Sequence, residues 1–206
     1  MALGYEILKL SQFEAMIVSG LLFSFFLSME LARTLFPQLN QMLIKFWSPF
    51  IRSHEVTQKS GMFYFSAGAF FISILFAKPI VMLSLLYLSV GDPLASLFGI
   101  MFKSVIKLRV RSGKSLIGTT TMFLACWLMT YFLLSNAGVD YKYIIWIAGI
   151  GSFTASVSEL MCPDILPMDD NFLIPVTSAI SLWIGFKIFG INPYHLHLFT
   201  SSIRLR

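Results

Sequence analysis

Six stretches of this chain are apolar over nearly the length needed to cross a bilayer, at about residues 13–33, 60–77, 79–103, 115–135, 143–161 and 172–190. A spanning helix takes about 20 predominantly apolar residues, because no water is present to satisfy its backbone groups. Proline, glycine or clustered charge separates the stretches and marks their ends. Composition points the same way. Of the 206 residues, 57% are hydrophobic and 12% are charged, against about 25% charged in soluble domains, and the mean hydropathy is +0.79. The sequence therefore predicts an all-α polytopic membrane protein with about six to seven transmembrane helices, built as a single integral-membrane domain over residues 1–206.

The apolar run from Phe13 lacks a basic leader and a small-residue cleavage site, so it is expected to remain as a helix. Cys126 falls in an apolar run and Cys162 in a loop, which argues against a disulfide and against a metal cluster held by thiols. A net charge of +5 is too modest and dispersed to suggest nucleic acid as a partner; it suits anionic headgroups of the lipid bilayer. The piece Leu43-Ile44-Lys45-Phe46-Trp47 reads as interfacial, with Trp47 at headgroup depth. No internal repeat or low-complexity segment is visible.

Lysine and arginine set the expected orientation. Lys103, Lys107, Arg109, Arg111 and Lys114 occupy one connecting segment without an acidic residue, and Lys45, Arg52 and Lys59 occupy another. If six spans alternate, both segments share a side, which the positive-inside rule makes cytoplasmic. Glu159 and the acidic segment Asp164…Asp169-Asp170-Asn171 then fall on that same side. An integral membrane protein of the bacterial inner membrane, with its active site facing the cytoplasm, is the expected arrangement.

Ionisable residues within apolar runs are costly and are read as functional by default. Asp92 lies within such a run, in Gly91-Asp92-Pro93, where Asp92 and Pro93 are expected to be the N-cap and first residue of a new helix after a break. Asp92, Ala95, Ser96 and Gly99 share one polar, small helical face. As a bare cap, Asp92 would be an expensive choice beside Ser or Asn. Lys114 opens the fourth apolar run, where a cation opposes the helix dipole but a bound phosphate would suit both lysine and free amides. Gly113-Lys114-Ser115 is not a P-loop, since position 108 is Leu and no strand precedes it. Glu159 ends a face of Ala148, Ser152 and Ala155. Of Asp169 and Asp170, one suffices to cap the following helix, and the other, beside Asn171, is available for Mg²⁺. His195 and His197 read as interfacial rather than metal-binding, and His54 lies beside Arg52 and Glu55 on the cytoplasmic side.

Four pieces follow in order: Gly91-Asp92-Pro93-Leu94-Ala95-Ser96 with Gly99, Lys114-Ser115-Leu116-Ile117-Gly118-Thr119, Ala155-Ser156-Val157-Ser158-Glu159, and Asp169-Asp170-Asn171-Phe172-Leu173-Ile174-Pro175. With Glu30…Arg33, Arg52…Glu55 and Gly61…Tyr64…Gly68 upstream, they resemble the family of dolichol kinases, phytol kinases and CTP-dependent diacylglycerol kinases over about residues 30–190. Ile100 and Ile117 depart from it, standing where many members carry a basic residue and a glutamate. The resemblance implies transfer of the γ-phosphate of CTP, with Mg²⁺ or another divalent cation, to the hydroxyl of a membrane lipid alcohol such as a polyprenol, phytol or diacylglycerol. It implies catalytic roles for Asp92, Lys114 and Glu159. Nucleotide contacts would come from Lys114, Ser115, Gly118, Lys107, Arg109, Arg111 and Arg52, and metal contacts from Asp92, Asp169, Asp170 and Asn171. Either Asp92 or Glu159 would take the hydroxyl proton.

Two other readings share some of these features. A phosphatidate cytidylyltransferase also uses CTP, but its acidic and Lys-Arg signature leading to His-Gly-Gly has no counterpart here, since no Asp or Glu follows Asp170. A small transporter with Asp92 and Glu159 as coupling carboxylates would be expected to show paired repeats and a midplane site.

Overall fold

The computed structural model describes residues 10–38, 40–42, 59–102, 114–162 and 168–198. Among these residues the chain is helical and contains no strand element. Helix α1 (Gln12–Leu35) starts on a capping box in which Ser11 and Glu14 each bond the other's main-chain N–H. Helix α2 (Gly61–Leu75) is capped by Ser60. Helix α3 (Lys78–Leu86) carries Pro79 in its first turn, where a missing N–H costs nothing. It continues through a π turn (Tyr87–Gly91) into α4 (Asp92–Met101). Helices α5 (Leu116–Asn136), α6 (Tyr141–Met161) and α7 (Asp170–Ile188) are capped by Ser115, Asp140 and Asp169. A short 3₁₀ turn (Pro193–His195) follows.

Five segments are long and apolar enough to span: α1, the composite Lys78–Met101, α5, α6 and α7. The run expected at 60–77 forms only a 15-residue helix, about 22 Å long at 1.5 Å per residue, short of a full hydrocarbon core. It ends because Phe76 and Ala77 are extended ahead of the next, proline-containing helix start. The up-and-down alternation expected from the sequence is kept. Glu30 Oε1 accepts from Ser60 N at 3.0 Å at one end of the α1–α2 pair. At the other end Gln12 Nε2 donates to Phe76 O and Lys78 Nζ to Leu10 O. The segments that join α1 to α2, α4 to α5 and α6 to α7 thus all begin and end on one side.

Packing follows small residues, as expected where lipid offers no hydrophobic drive between helices. A Cβ on Gly118 would stand 2.7 Å from the carbonyl oxygen of Ala95, and one on Gly91 2.6 Å from Cys126 Sγ. Tyr87 is buried in the middle of the bundle and shares a 2.6 Å hydrogen bond with Thr130. The most buried span is Lys78–Met101, whereas α1 is mostly exposed and presents Phe13, Leu21, Phe25 and Leu31 outward.

The break expected at Gly91-Asp92 is absent. Gly91 is helical (φ −64°, ψ −50°), and Asp92 is the first residue of α4 rather than its cap. Pro93 would clash with the carbonyl four residues back in a regular helix and has no N–H to offer it. The chain widens instead, and Asp92 N–H reaches back to Tyr87 O. Such π turns recur at functional sites.

Candidate active site

Four helix ends meet around a cavity of about 300 Å³ lined by Asp92, Ala95, Ser96, Gly99, Ile100, Lys114, Ser115, Gly118, Glu159 and Asp170. The small face of α4 forms one wall. Gly99 and Gly118 let α4 and α5 close on each other: a Cβ at Gly99 would come within 2.8 Å of Ser115 Oγ, which already accepts the Gly118 N–H at 3.0 Å as the cap of α5. That closeness brings Lys114, one residue before the cap, over the ends of α6 and α7.

Lys114 Nζ donates to the main-chain oxygen of Glu159 at 2.6 Å and pairs with Glu159 Oε1 at 3.0 Å and Asp170 Oδ2 at 3.4 Å. The sequence placed this cation against the dipole at the start of α5, but its head group lies at the C-terminal end of α6. There a helix leaves carbonyls unpaired and favours positive charge. Burial alone would lower the ammonium's pKa, but the charges of Glu159, Asp170 and Asp92 outweigh it and hold the pKa above its ordinary value. Glu159 is 6% exposed. Its second oxygen, Oε2, is met by the Thr119 hydroxyl at 3.5 Å. Cys162, next to this cluster, has its thiol pKa pushed up to about 11 by burial and by the neighbouring Asp170.

The acidic pair divides its work. Asp169 Oδ1 accepts from Asn171 N at 2.9 Å and Asn171 Nδ2 at 2.7 Å, so Asp169 caps α7 and Asn171 is tied to that cap. Asp170 turns into the cavity. Of the four expected metal contacts, Asp92 and Asp170 line the cavity and Asp169 and Asn171 do not. Among the described residues no three His, Cys, Asp or Glu side chains group closely enough to hold a metal by themselves. Two hard carboxylates on one cavity still suit Mg²⁺, which completes its shell with water and phosphate oxygens.

The structure thus brings Asp92, Lys114, Ser115, Gly118, Glu159 and Asp170 together. Lys107, Arg109, Arg111 and Arg52, expected to contact nucleotide, lie outside the described residues, as do Asp164 and His54. Glu30 forms a separate junction with Arg33 Nη1 (2.8 Å) and Ser60 N. His195 and His197 lie beyond the far end of α7, away from the cavity. Thr119, the partner of Glu159, is not singled out by the sequence. Its membership of the motif Lys114-Ser115-Leu116-Ile117-Gly118-Thr119, one turn into α5, is a signal there that could flag it.

The comparisons with known proteins agree with the expected family. The chain is 29% identical over 171 residues to CTP-dependent diacylglycerol kinase 1 of Eremothecium gossypii, covering 75% of this chain and 53% of that protein. It is 26% identical over 178 residues to the Saccharomyces cerevisiae protein of the same name, covering 78% of this chain and 60% of that one. A probable chloroplastic phytol kinase of Triticum aestivum is 26% identical over 137 residues, covering 63% of this chain and 44% of the other. The chain spans about half the length of these three relatives. No family model matches it, and no solved structure matches it. Its relatives carry the names that the four ordered motifs pointed to.

Proposed function

We propose that this protein is a CTP-dependent lipid kinase that moves the γ-phosphate of CTP to the hydroxyl of a membrane lipid alcohol. The observation that carries the reading is the position of Lys114. It is a cation fixed by two carboxylates on a cavity that also holds Asp92, at the membrane end shared by the basic connecting segments. Relatives named as kinases of diacylglycerol and phytol support both the donor and the acceptor class.

Phosphoryl transfer is chiefly positioning and charge neutralisation. Lys114 offsets the charge of the transferring phosphoryl group, and the start of α5 adds the positive end of its helix dipole. Asp92 and Asp170 would hold Mg²⁺, which would supply neutralising charge to the phosphate oxygens. Glu159 is held by Lys114 through both its carboxylate and its main-chain oxygen, which suits Glu159 to fixing the cation. Asp92 then takes the hydroxyl proton as the alcohol oxygen attacks phosphorus and the CDP oxygen departs. The sequence segments that carry Lys107, Arg109, Arg111 and Arg52 are rich in Lys and Arg, which by the positive-inside rule argues for a cytoplasmic site, and we take the membrane to be a bacterial inner membrane. The acceptor within the class of polyprenol, phytol and diacylglycerol is the next quantity to measure.

The deciding assay presents purified protein with γ-labelled and α-labelled CTP and a panel of lipid alcohols. Label on lipid from the γ position is the expected result. Label from the α position would make the protein a cytidylyltransferase.

A further inference from the structure

Helix α2 stops short, and its neighbour α7 does not. Both run away from the Lys114 end of the bundle, and α7 packs along both α2 and α3. One close contact fixes the relative height of α2 and α7: a Cβ at Gly68 would stand 3.4 Å from Phe172 Cα and 3.3 Å from Pro175 Cγ. Beyond that contact α2 ends at Leu75, whereas α7 runs on to Ile188. Helix α7 therefore outruns α2 by about 12 Å at 1.5 Å per residue. A second cavity, of about 470 Å³, occupies the notch this leaves at the membrane end opposite Lys114. Leu75 and Ala77 form its floor, and Trp183, Phe186 and Lys187, in the last turns of α7, form its wall. Gly190, at φ +65°, turns the chain back, with Ile191 N–H on Phe186 O. The turn that follows, with Tyr194, packs on α3 and roofs the notch.

The side of the notch faces the bilayer. Leu75 is 54% exposed, Trp183 43% and Tyr194 65%, and Trp and Tyr at a helix end sit at headgroup level. Charge is the second observation. Lys187 is the one charged side chain among the described residues lining the cavity, and its ammonium lies 5.8 Å from the centre of the Trp183 ring. The two described carboxylates at this membrane end, Glu14 and Asp140, are held by Ser11 and Lys142. We propose that the notch is a binding site for an anionic phospholipid of the leaflet opposite the Lys114 cavity. The lipid phosphodiester pairs with Lys187, and a chain descends past Trp183 onto Leu75, in the room that a longer α2 would fill. This site is independent of the kinase reading.

Quenching of Trp183 fluorescence tests the site. The full chain is reconstituted in phosphatidylcholine vesicles containing phosphatidylglycerol, with one lipid or the other brominated near the headgroup end of its chains. The Trp183 signal is taken as the difference from a Trp183→Phe protein. Phosphatidylglycerol should quench it as though bound at least about fivefold more tightly than phosphatidylcholine, the scale of one lysine at an anionic membrane surface. Lys187→Gln should abolish the preference and Lys187→Arg should keep it. Lys142→Gln, at the same membrane end but outside the cavity, should leave it unchanged. Equal quenching by the two lipids in the parent would reduce the notch to ordinary lipid contact and overturn the proposal. Retention of the preference in Lys187→Gln, or an equal loss in Lys142→Gln, would overturn it as well, since either result means diffuse surface charge. So would an absence of quenching by both lipids, which would mean that the protein itself fills the notch.

Discussion

Lys114 grips Glu159 twice, once through the carboxylate at 3.0 Å and once through the main-chain oxygen at 2.6 Å. A lysine that only snorkelled to the membrane surface would need neither contact. The double hold ties the start of α5 to the end of α6, so the pair is a structural joint as well as a source of charge.

That joint shapes the first prediction. Lys114→Ala leaves Glu159 buried without its cation, a change that costs about 3 kcal/mol or more in buried pairs. We expect Lys114→Ala to lower thermal stability in detergent, and Lys114→Ala with Glu159→Gln to recover most of it. Activity should remain at least about a hundredfold down in both, the scale for losing a phosphate-stabilising group. Recovery of turnover along with stability would reduce Lys114 to the joint alone.

Asp92→Asn keeps the shape of the side chain and its hydrogen-bonding ability but removes its charge. It should reach the membrane at near-normal levels with turnover reduced at least about a hundredfold. A folded Asp92→Asn protein with near-full activity would remove Asp92 from the chemistry. Asp164→Asn, away from the acidic pair in sequence, should lose little.

The cap and its neighbour can be separated in the same way. Asp169→Asn should keep most of its capping bond and cost only a few tenths of a kcal/mol in stability, with turnover within about threefold of the parent. Asp170→Asn should lose at least about thirtyfold. Equal losses at the two positions would return Asp169 to the metal set.

Acid–base behaviour gives a fourth test. The Lys114 pKa is raised above its ordinary 10.5, so its contribution to stability is fully present below about pH 10.5. That contribution disappears only as pH climbs through the higher folded value. Unfolding followed against pH should therefore show no loss from this group below about pH 10. The Cys162 thiol, at about 11, should resist iodoacetamide at neutral pH, since the thiolate is the reactive form. Rapid modification of Cys162 near neutral pH, mapped by mass spectrometry, would contradict its burial against Asp170.

Close packing supplies the last. Gly118→Ala places a methyl 2.7 Å from a main-chain oxygen that cannot turn aside, so α4 must move from α5 and the cavity wall shifts with it. A methyl at Gly149, in mid-α6, would meet nothing within 4 Å, and Gly149→Ala should be neutral or stabilising by up to about 1 kcal/mol. Comparable melting temperatures for the two variants would refute the contact.

Much of this was legible in the residues. Apolar run length marked every long helix, and ordered motifs brought together Asp92, Lys114, Glu159 and Asp170, because small residues around a charge leave few other ways to accommodate it. Hydropathy could not show that 60–77 yields a helix too short to span, since Phe76 and Ala77 are apolar yet extended. The sequence makes Asp92 look like a cap because Asp-Pro at a helix start and Asp-Pro after a π turn have the same local residues. The division between Asp169 and Asp170 was equally hidden. It depends on which carboxylate meets Asn171 N–H, and that is decided by the angle at which α7 enters the bundle.

The widened turn at Tyr87–Gly91 also fixes an angular phase. Each residue of a regular helix advances by about 100°, and the wider turn takes up one extra residue without that advance, so everything from Asp92 to Met101 stands about a quarter of a revolution from where an unbroken α-helix of the same residues would put it. Forcing 87–91 into a regular α-helix at full length would swing the Asp92–Ser96–Ile100 face away from Lys114, whereas deleting one residue as the turn closes would leave that face nearly in place. The span thus behaves as two screws of different setting on one shaft, the lower seated against α7 and the upper free to be indexed to the cavity.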